Sequence, residues 1–321
     1  MKRALFQLAL ALAAIVATLA VLEGLLRLAG FSATPVQIQA GRQSDQRTLH
    51  VFEDQNFEPD PDLIWRPRAN QSVFNGQGFR GPELTPDKPA GTRRVFTVGD
   101  SNTLGWAGED GPNWPGELSS LIARDRAGVS VVNAGVWGYA SYQGLRRFTE
   151  VLAWQPDLVF VSFGSNDAHW VLQSDKDYDA RTFRNTGPGR AIERFRLGEL
   201  LLSALDRTPQ PSALGPRVAL DDYRANLREI IRRGRTKKVT VVLLTRPYNG
   251  PIASDTWWKN RGADYNTATS EIAAEMNVPM VDVYSYFKHL DEHFADESHF
   301  TAQGHKIAAA IIYDHVKGLF K

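Results

Sequence analysis

Ser101 sits in Gly99-Asp100-Ser101-Asn102, directly behind the apolar run Val95–Val98. A serine hydroxyl is a weak nucleophile unless a base takes its proton and a third group fixes the tautomer of that base. Far along the chain, Asp296-Glu297-Ser298-His299 supplies an imidazole with a carboxylate three residues before it. On one turn, that carboxylate can hold one ring nitrogen while the other faces Ser101. Attack on a carbonyl also needs donors aimed at the developing oxyanion. The candidates are the backbone N–H groups of Ser101 and Gly138, the latter in Asn133-Ala134-Gly135-Val136-Trp137-Gly138, and the side-chain amide of Asn166 in Gly164-Ser165-Asn166-Asp167. These residue types suit acyl chemistry through a serine, with an ester carbonyl as the electrophile.

Elements at suitable places must bring these segments together. Five short apolar runs read as buried strands: Val95–Val98, Val129–Asn133, Leu158–Phe163, Val239–Thr245 and Pro279–Val283. Between them lie helical repeats, Leu145, Phe148 and Leu152 in one and Tyr223, Leu227, Ile230 and Ile231 in another. A last segment has the stripe Ile307, Ile311, His315 and Leu319. Strand and helix alternate, and the strands lack a period of two, which predicts a mostly parallel sheet of about five strands in a three-layer α/β/α sandwich. Such a sheet gathers the loops at the carboxyl ends of its strands into one crevice. Each candidate segment falls after a strand or just before the last helix.

The four segments together, in this order, resemble the SGNH, or GDSL, hydrolase family. Gly99-Asp100-Ser101 matches its first block, Gly138 the glycine of the second, Gly164-Ser165-Asn166-Asp167 the third and Asp296-Glu297-Ser298-His299 the last. Asn102 stands where many members carry leucine. The resemblance spans roughly residues 93–318 and implies a flavodoxin-like sandwich and a serine esterase working through an acyl-enzyme. It implies Ser101 as nucleophile, His299 as base, Asp296 as the acid that orients it, and Ser101, Gly138 and Asn166 as the oxyanion hole. No cofactor or metal is implied. An O-acyltransferase would use the same triad with a sugar hydroxyl in place of water, and a non-catalytic carbohydrate-binding scaffold would keep the fold alone.

Composition agrees with an enzyme of ordinary globular type. The 321 residues carry 37 Lys+Arg against 36 Asp+Glu, a net charge of +1, which argues against a nucleic-acid partner held by overall charge. There is no cysteine, hence no disulfide, no thiolate metal site and no cysteine-linked lipid. Lys2 and Arg3 precede an uncharged stretch from Ala4 to Leu22, long enough as a helix to cross most of a bilayer core. Thr18 and Ala20 offer small residues for signal cleavage. The length of the run, prolonged by Leu25, Leu26 and Leu28, favours a retained signal anchor over residues 1–30, with Glu23 and Arg27 paired near the far interface. The positive-inside bias then places the rest outside the cytoplasm, periplasmic or extracellular. Residues 31–92 read as an irregular arm with two short strands, and residues 93–321 as the catalytic domain. The partners expected are the membrane and an ester-bearing small molecule, lipid or polysaccharide of the envelope or exterior.

Other features have plainer readings beside the functional ones. His289, Asp291, His293, His299 and His305 crowd one region, but His289 and His293 lack the glutamate of a zinc-protease helix and fit a solvated face. The run Arg232, Arg233, Arg235, Lys237 and Lys238 complements a helix dipole. Arg181, Arg184, Arg190, Arg194 and Arg196, with Trp170, Tyr178 and Phe183, serve either as a substrate wall or as a surface insertion, and Trp257, Trp258 and Lys259 either as an opposite wall or as loop packing.

Overall fold

The structure is a computed structural model that describes residues 2–31, 37–42, 45–50, 56–60, 62–105, 111–171, 174–176, 192, 194–205, 215–249 and 258–320. In chain order the strands are β1 (Gln37–Arg42), β2 (Asp45–His50), β3 (Phe57–Asp60), β4 (Ile64–Pro67), β5 (Arg93–Gly99), β6 (Val129–Asn133), β7 (Leu158–Ser162), β8 (Trp170–Val171), β9 (Gly215–Pro216), β10 (Thr240–Leu244) and β11 (Met280–Val281). The helices are α1 (Lys2–Leu28), α2 (Ser101–Leu104), α3 (Trp114–Asp125), α4 (Ser141–Leu152), α5 (Arg196–Leu205), α6 (Leu220–Thr236), α7 (Trp258–Glu275), α8 (Val283–Phe287) and α9 (Ala302–Val316).

Five strands form one sheet in the order β11-β10-β7-β5-β6, all parallel. Its two faces explain why the strand runs are apolar throughout. Phe96, Val98, Val132, Val159, Val161, Val241 and Leu243 point to one side, against Phe148 and Val151 of α4 and Leu227, Ile230 and Ile231 of α6. Their neighbours Val95, Leu158, Phe160, Val242 and Leu244 point to the other, against Leu118 and Ile122 of α3 and Ala308, Ala309 and Ile312 of α9. Both faces are dry, so alternate residues are equally apolar. This is the doubly wound sandwich that the pattern predicts.

In α9 the stripe sits one position away from the expected one. Ala308, Ala309, Ile312 and Val316 are buried, while Ile307 and Ile311 lie at the margin and His315 is exposed. The small alanines sit where α9 packs beside α3, a role that spacing of large apolar residues does not reveal. The region before β5 is more ordered than its polar composition suggests. It forms two antiparallel hairpins, β1–β2 and β3–β4. The second packs into the α4/α6 side of the core: Phe57, Leu63, Ile64 and Trp65 are all buried there. Arg147 of α4 clamps this arm, stacking 4.6 Å over Phe79 and donating to the Gly78 carbonyl at 2.5 Å.

Candidate active site

The sheet order reverses at β5, whose neighbours are β6 on one side and β7 on the other, and an open parallel sheet opens a crevice at the carboxyl ends of such strands. At that edge β5 turns sharply into α2. Asp100 caps the new helix, one carboxylate oxygen accepting the Asn102 N–H at 2.9 Å. Gly99 is required by close approach: a Cβ there would lie 2.1 Å from Thr103 Oγ1 and 2.9 Å from the Ser162 carbonyl. Ser101 is thereby held at the first helical position.

The loop before α9 meets it. Ser101 Oγ lies 2.8 Å from His299 Nε2, and His299 Nδ1 lies 2.7 Å from Asp296 Oδ2. An ionised carboxylate only accepts, so Nδ1 carries the ring proton and Nε2 is the acceptor facing the serine hydroxyl. Burial by itself would raise the Asp296 carboxyl. The hydrogen bond and attraction from His299, with the N–H groups of Ser298 and His299 on its other oxygen, outweigh burial and bring it down to about 2. Asp296 therefore stays ionised at neutral pH and well below it.

The donor loops adjoin this group. Asn166, half-buried after β7, gives one amide hydrogen to the Tyr139 carbonyl at 2.9 Å and keeps a second. The Gly135 N–H is already committed to Asn133 Oδ1 at 2.9 Å, whereas neither Gly138 nor Ser101 donates a backbone hydrogen bond among the described residues. Gly138 has a φ of 75°, and a Cβ there would press on Trp65 at 3.1 Å, so the glycine answers both to the backbone and to the arm beneath it. The Gly138 N–H, the one expected for the second block, is thus open to a ligand, whereas that of Gly135 is occupied.

Several supporting residues escaped sequence reasoning. Arg246, after β10, is buried and bonds Asp100 Oδ2 at 2.9 Å and the Ser298 carbonyl at 2.9 Å, joining the serine turn to the histidine loop. Asn102, the departure from the usual leucine, accepts the Phe300 N–H at 3.1 Å and ties the same two loops. Arg217 pairs with buried Asp175 at 2.8 Å and holds the Gly138 carbonyl at 2.5 Å. Such pairings link residues far apart in the chain, so spacing carries no trace of them. Asp167 takes the Ser141 N–H at 2.9 Å and the Gly164 N–H at 3.0 Å, bracing the Asn166 turn against α4.

Of the arginines considered for a substrate wall, Arg194 and Arg196 lie at the exit of α1, where the Arg194 carbonyl accepts from Arg27 and Arg196 pairs with Glu199. Arg181, Arg184, Arg190, Tyr178, Phe183 and Trp257 fall outside the described residues. No group of three or more His, Asp or Glu suited to a metal occurs among the described residues.

The comparisons with known proteins bear on the family and the fold. A model of the GDSL-like lipase/acylhydrolase family matches residues 97–307, well over half of the chain. The chain belongs to that family. It is an ester-hydrolysing enzyme, and solved structures share its sandwich fold. The lipase/acylhydrolase from Enterococcus faecalis superposes with a TM-score of 0.51 at 26% identity, over 71% of this chain and 97% of that one. An acetylxylan esterase from Geobacillus stearothermophilus shares the fold, with a TM-score of 0.50 at 21% identity over 71% of this chain and 95% of that one. By sequence, the GDSL esterase/lipase CPRD49 of Arabidopsis thaliana is 25% identical over 224 residues, 64% of this chain and 72% of that protein. The uncharacterized lipoprotein YqeF of Bacillus subtilis is also 25% identical over 224 residues, 63% of this chain and 74% of that one.

The imidazoles around the site lead to a prediction about acid. Burial, reinforced by nearby Arg217 and His299, pulls His169 down to about 3, and burial does the same to His305, where Arg246 and Arg80 add to it. Both are neutral in the folded enzyme above that value, while in the unfolded chain both take up a proton as pH falls through about 6.5. Unfolding therefore binds protons, and these two groups lose stability as pH falls from about 6.5 toward 3. Asp167 acts in the opposite sense: burial raises it to about 6, so the folded state protonates it first and gains as pH falls below that. Two groups against one leave a net loss of about 2 kcal/mol between pH 7 and pH 5. Urea unfolding of the full chain in detergent should give a lower midpoint at pH 5 than at pH 7; an equal or higher midpoint would show that the two histidines carry charge in the folded enzyme.

Proposed function

We propose that this enzyme is a serine esterase, tethered to a membrane by α1, that cleaves its ester through an acyl-enzyme on Ser101. The observation that carries the reading is the unbroken relay from Ser101 Oγ to His299 Nε2 at 2.8 Å and from His299 Nδ1 to Asp296 Oδ2 at 2.7 Å. Ser101 Oγ attacks the ester carbonyl carbon while Nε2 takes its proton, and the carbonyl electrons move onto oxygen. The resulting oxyanion is stabilised by the N–H groups of Ser101 and Gly138 and by the remaining amide hydrogen of Asn166. The imidazolium, balanced by Asp296, then protonates the leaving alkoxide as the tetrahedral species collapses to the acyl-enzyme. Water enters, gives a proton to Nε2, and repeats the sequence to release the acid and restore Ser101.

Localisation and substrate class rest on α1. Ala9–Leu28 has a mean hydropathy of 2.3 and none of it is buried in the protein, as a membrane-spanning helix requires. With Lys2 and Arg3 on the cytoplasmic side, the esterase faces the exterior or periplasm, where ester-bearing polysaccharides and lipids are the substrates at hand. Treatment with a fluorophosphonate, which phosphonylates an activated serine, tests the reading directly. The adduct is expected on the peptide containing Ser101, blocked by prior acidification. Labelling elsewhere, or none at neutral pH, would remove Ser101 from the role of nucleophile.

A further inference from the structure

Outside α1, four large apolar side chains stand exposed among the described residues: Phe195, Leu200, Leu201 and Tyr286. Three of the four fall within seven consecutive positions at and in α5, with Phe195 56% exposed and Leu201 54% exposed. A water-facing helix of a soluble domain has no cause to gather apolar side chains there, whereas contiguous apolar surface marks a binding face.

The position of α5 identifies what covers that face. It packs against the C-terminal end of α1, and the contact is made by polar groups that lock it. Glu23 of α1 accepts the Leu197 N–H at the start of α5 at 2.9 Å and is itself paired with Arg27 at 2.6 Å; Arg27 in turn donates to the Arg194 carbonyl at 3.1 Å. A helix N-terminus bound to a carboxylate on the anchor has its dipole and its unpaired N–H groups satisfied at the same point. On the same end of α1 that holds α5, Leu22, Leu25 and Leu28 are exposed as well. Where α1 leaves the hydrocarbon, the surroundings of both helices are the interfacial zone of the same leaflet, the environment in which a helix with an apolar face and charged flanks such as Arg196 and Glu199 lies in plane.

Resting on the reading of α1 as a membrane anchor, we infer that α5 is an in-plane docking helix that inserts Phe195, Leu200 and Leu201 into the outer-leaflet interface and clamps the esterase against the bilayer. A single spanning helix followed by a loop would leave the domain free to tumble above the surface. A second attachment removes that freedom and fixes one face of the enzyme toward the membrane.

The absence of cysteine from the chain makes the test clean. Leu201→Cys, Ile15→Cys and Asp314→Cys are each labelled with an environment-sensitive NBD fluorophore in the full chain, reconstituted in phosphatidylcholine/phosphatidylglycerol nanodiscs with nitroxide lipids spin-labelled at a shallow or a deep acyl position. Ile15 reports the anchor, and the exposed Asp314 of α9 is the aqueous reference. The expected result is a blue-shifted Leu201 label, quenched at least threefold more by the shallow nitroxide than the Asp314 label, with the Ile15 label quenched best by the deep nitroxide. An Ile15 label quenched in this way beside a Leu201 label indistinguishable from Asp314 would overturn the docking helix while leaving the anchor intact. An Ile15 label that no lipid quenches would overturn the anchor and the docking helix with it.

Discussion

Ser101→Ala is expected to abolish hydrolysis of short-chain p-nitrophenyl esters, lowering kcat by a factor of about 10⁴ to 10⁶ with KM little changed. The hydroxyl forms a bond only after the ester is bound, so its loss falls on the transition state and not on binding. His299→Ala should fall in the same range, since Ser101 Oγ has its 2.8 Å contact with that ring and no other base bonded to it among the described residues. The double variant should be hardly worse than either single one, because the two act as a unit. Asp296→Asn should cost less, about 10² to 10⁴. Asparagine keeps an oxygen for the Ser298 and His299 N–H groups but replaces the acceptor of Nδ1–H with a donor, which favours the wrong tautomer. Its half-exposed position lets water restore part of that contact. Retention of a tenth or more of wild-type kcat by Ser101→Ala would exclude the serine as nucleophile.

The residues in that series were legible in the sequence because each lies in a short local block at a predicted element boundary. Ser101 follows an apolar strand through Gly99, and His299 precedes a helix capped by Thr301, whose hydroxyl accepts the Gly304 N–H at 3.2 Å. The sheet was legible for a similar reason: runs such as Val95–Val98 and Val241–Leu244 are apolar on both faces, which only a covered parallel sheet explains. What local pattern could not carry is the partner of a buried charge. Nothing in the spacing of Asp100 and Arg246, or of Asp175 and Arg217, distinguishes them from surface residues. The arm was misread in degree for another reason: its turns are rich in Gly, Asn and Pro, and the few side chains that anchor it, Trp65 above all, are scattered between them. Trp65 is fully buried, donates to the Trp137 carbonyl at 3.1 Å, receives the Tyr139 hydroxyl on its own carbonyl at 2.7 Å and lies under Gly138. The arm thus reaches the Gly138 loop from beneath.

The second large effect is expected at Arg246, which touches none of the three side chains proposed to react. It is 4% exposed and its partner Asp100 only 1% exposed, so the pair is dry, and its Nη1 donates to the Pro247 and Ser298 carbonyls. Arg246→Met keeps much of the volume but strands the Asp100 carboxylate without a counter-charge. Breaking such a buried pair costs about 3 to 5 kcal/mol, read as a lower urea midpoint. Asp100→Asn combined with Arg246→Met removes both charges and should recover a good part of that stability, since the penalty comes from the unpaired ion and not from the absence of the pair. Activity should behave differently. Arg246 is the tie that holds the Ser298 carbonyl, next to His299, in register with the turn that presents Ser101, and an apolar side chain cannot make that tie. The double variant is therefore expected to stay folded yet lose about 10² in kcat, because a displacement of roughly 1 Å between base and nucleophile is enough for that loss. A double variant that regains stability and full kcat together would show that Arg246 only neutralises Asp100. Stability regained without kcat would show that it also sets the distance across which the proton moves.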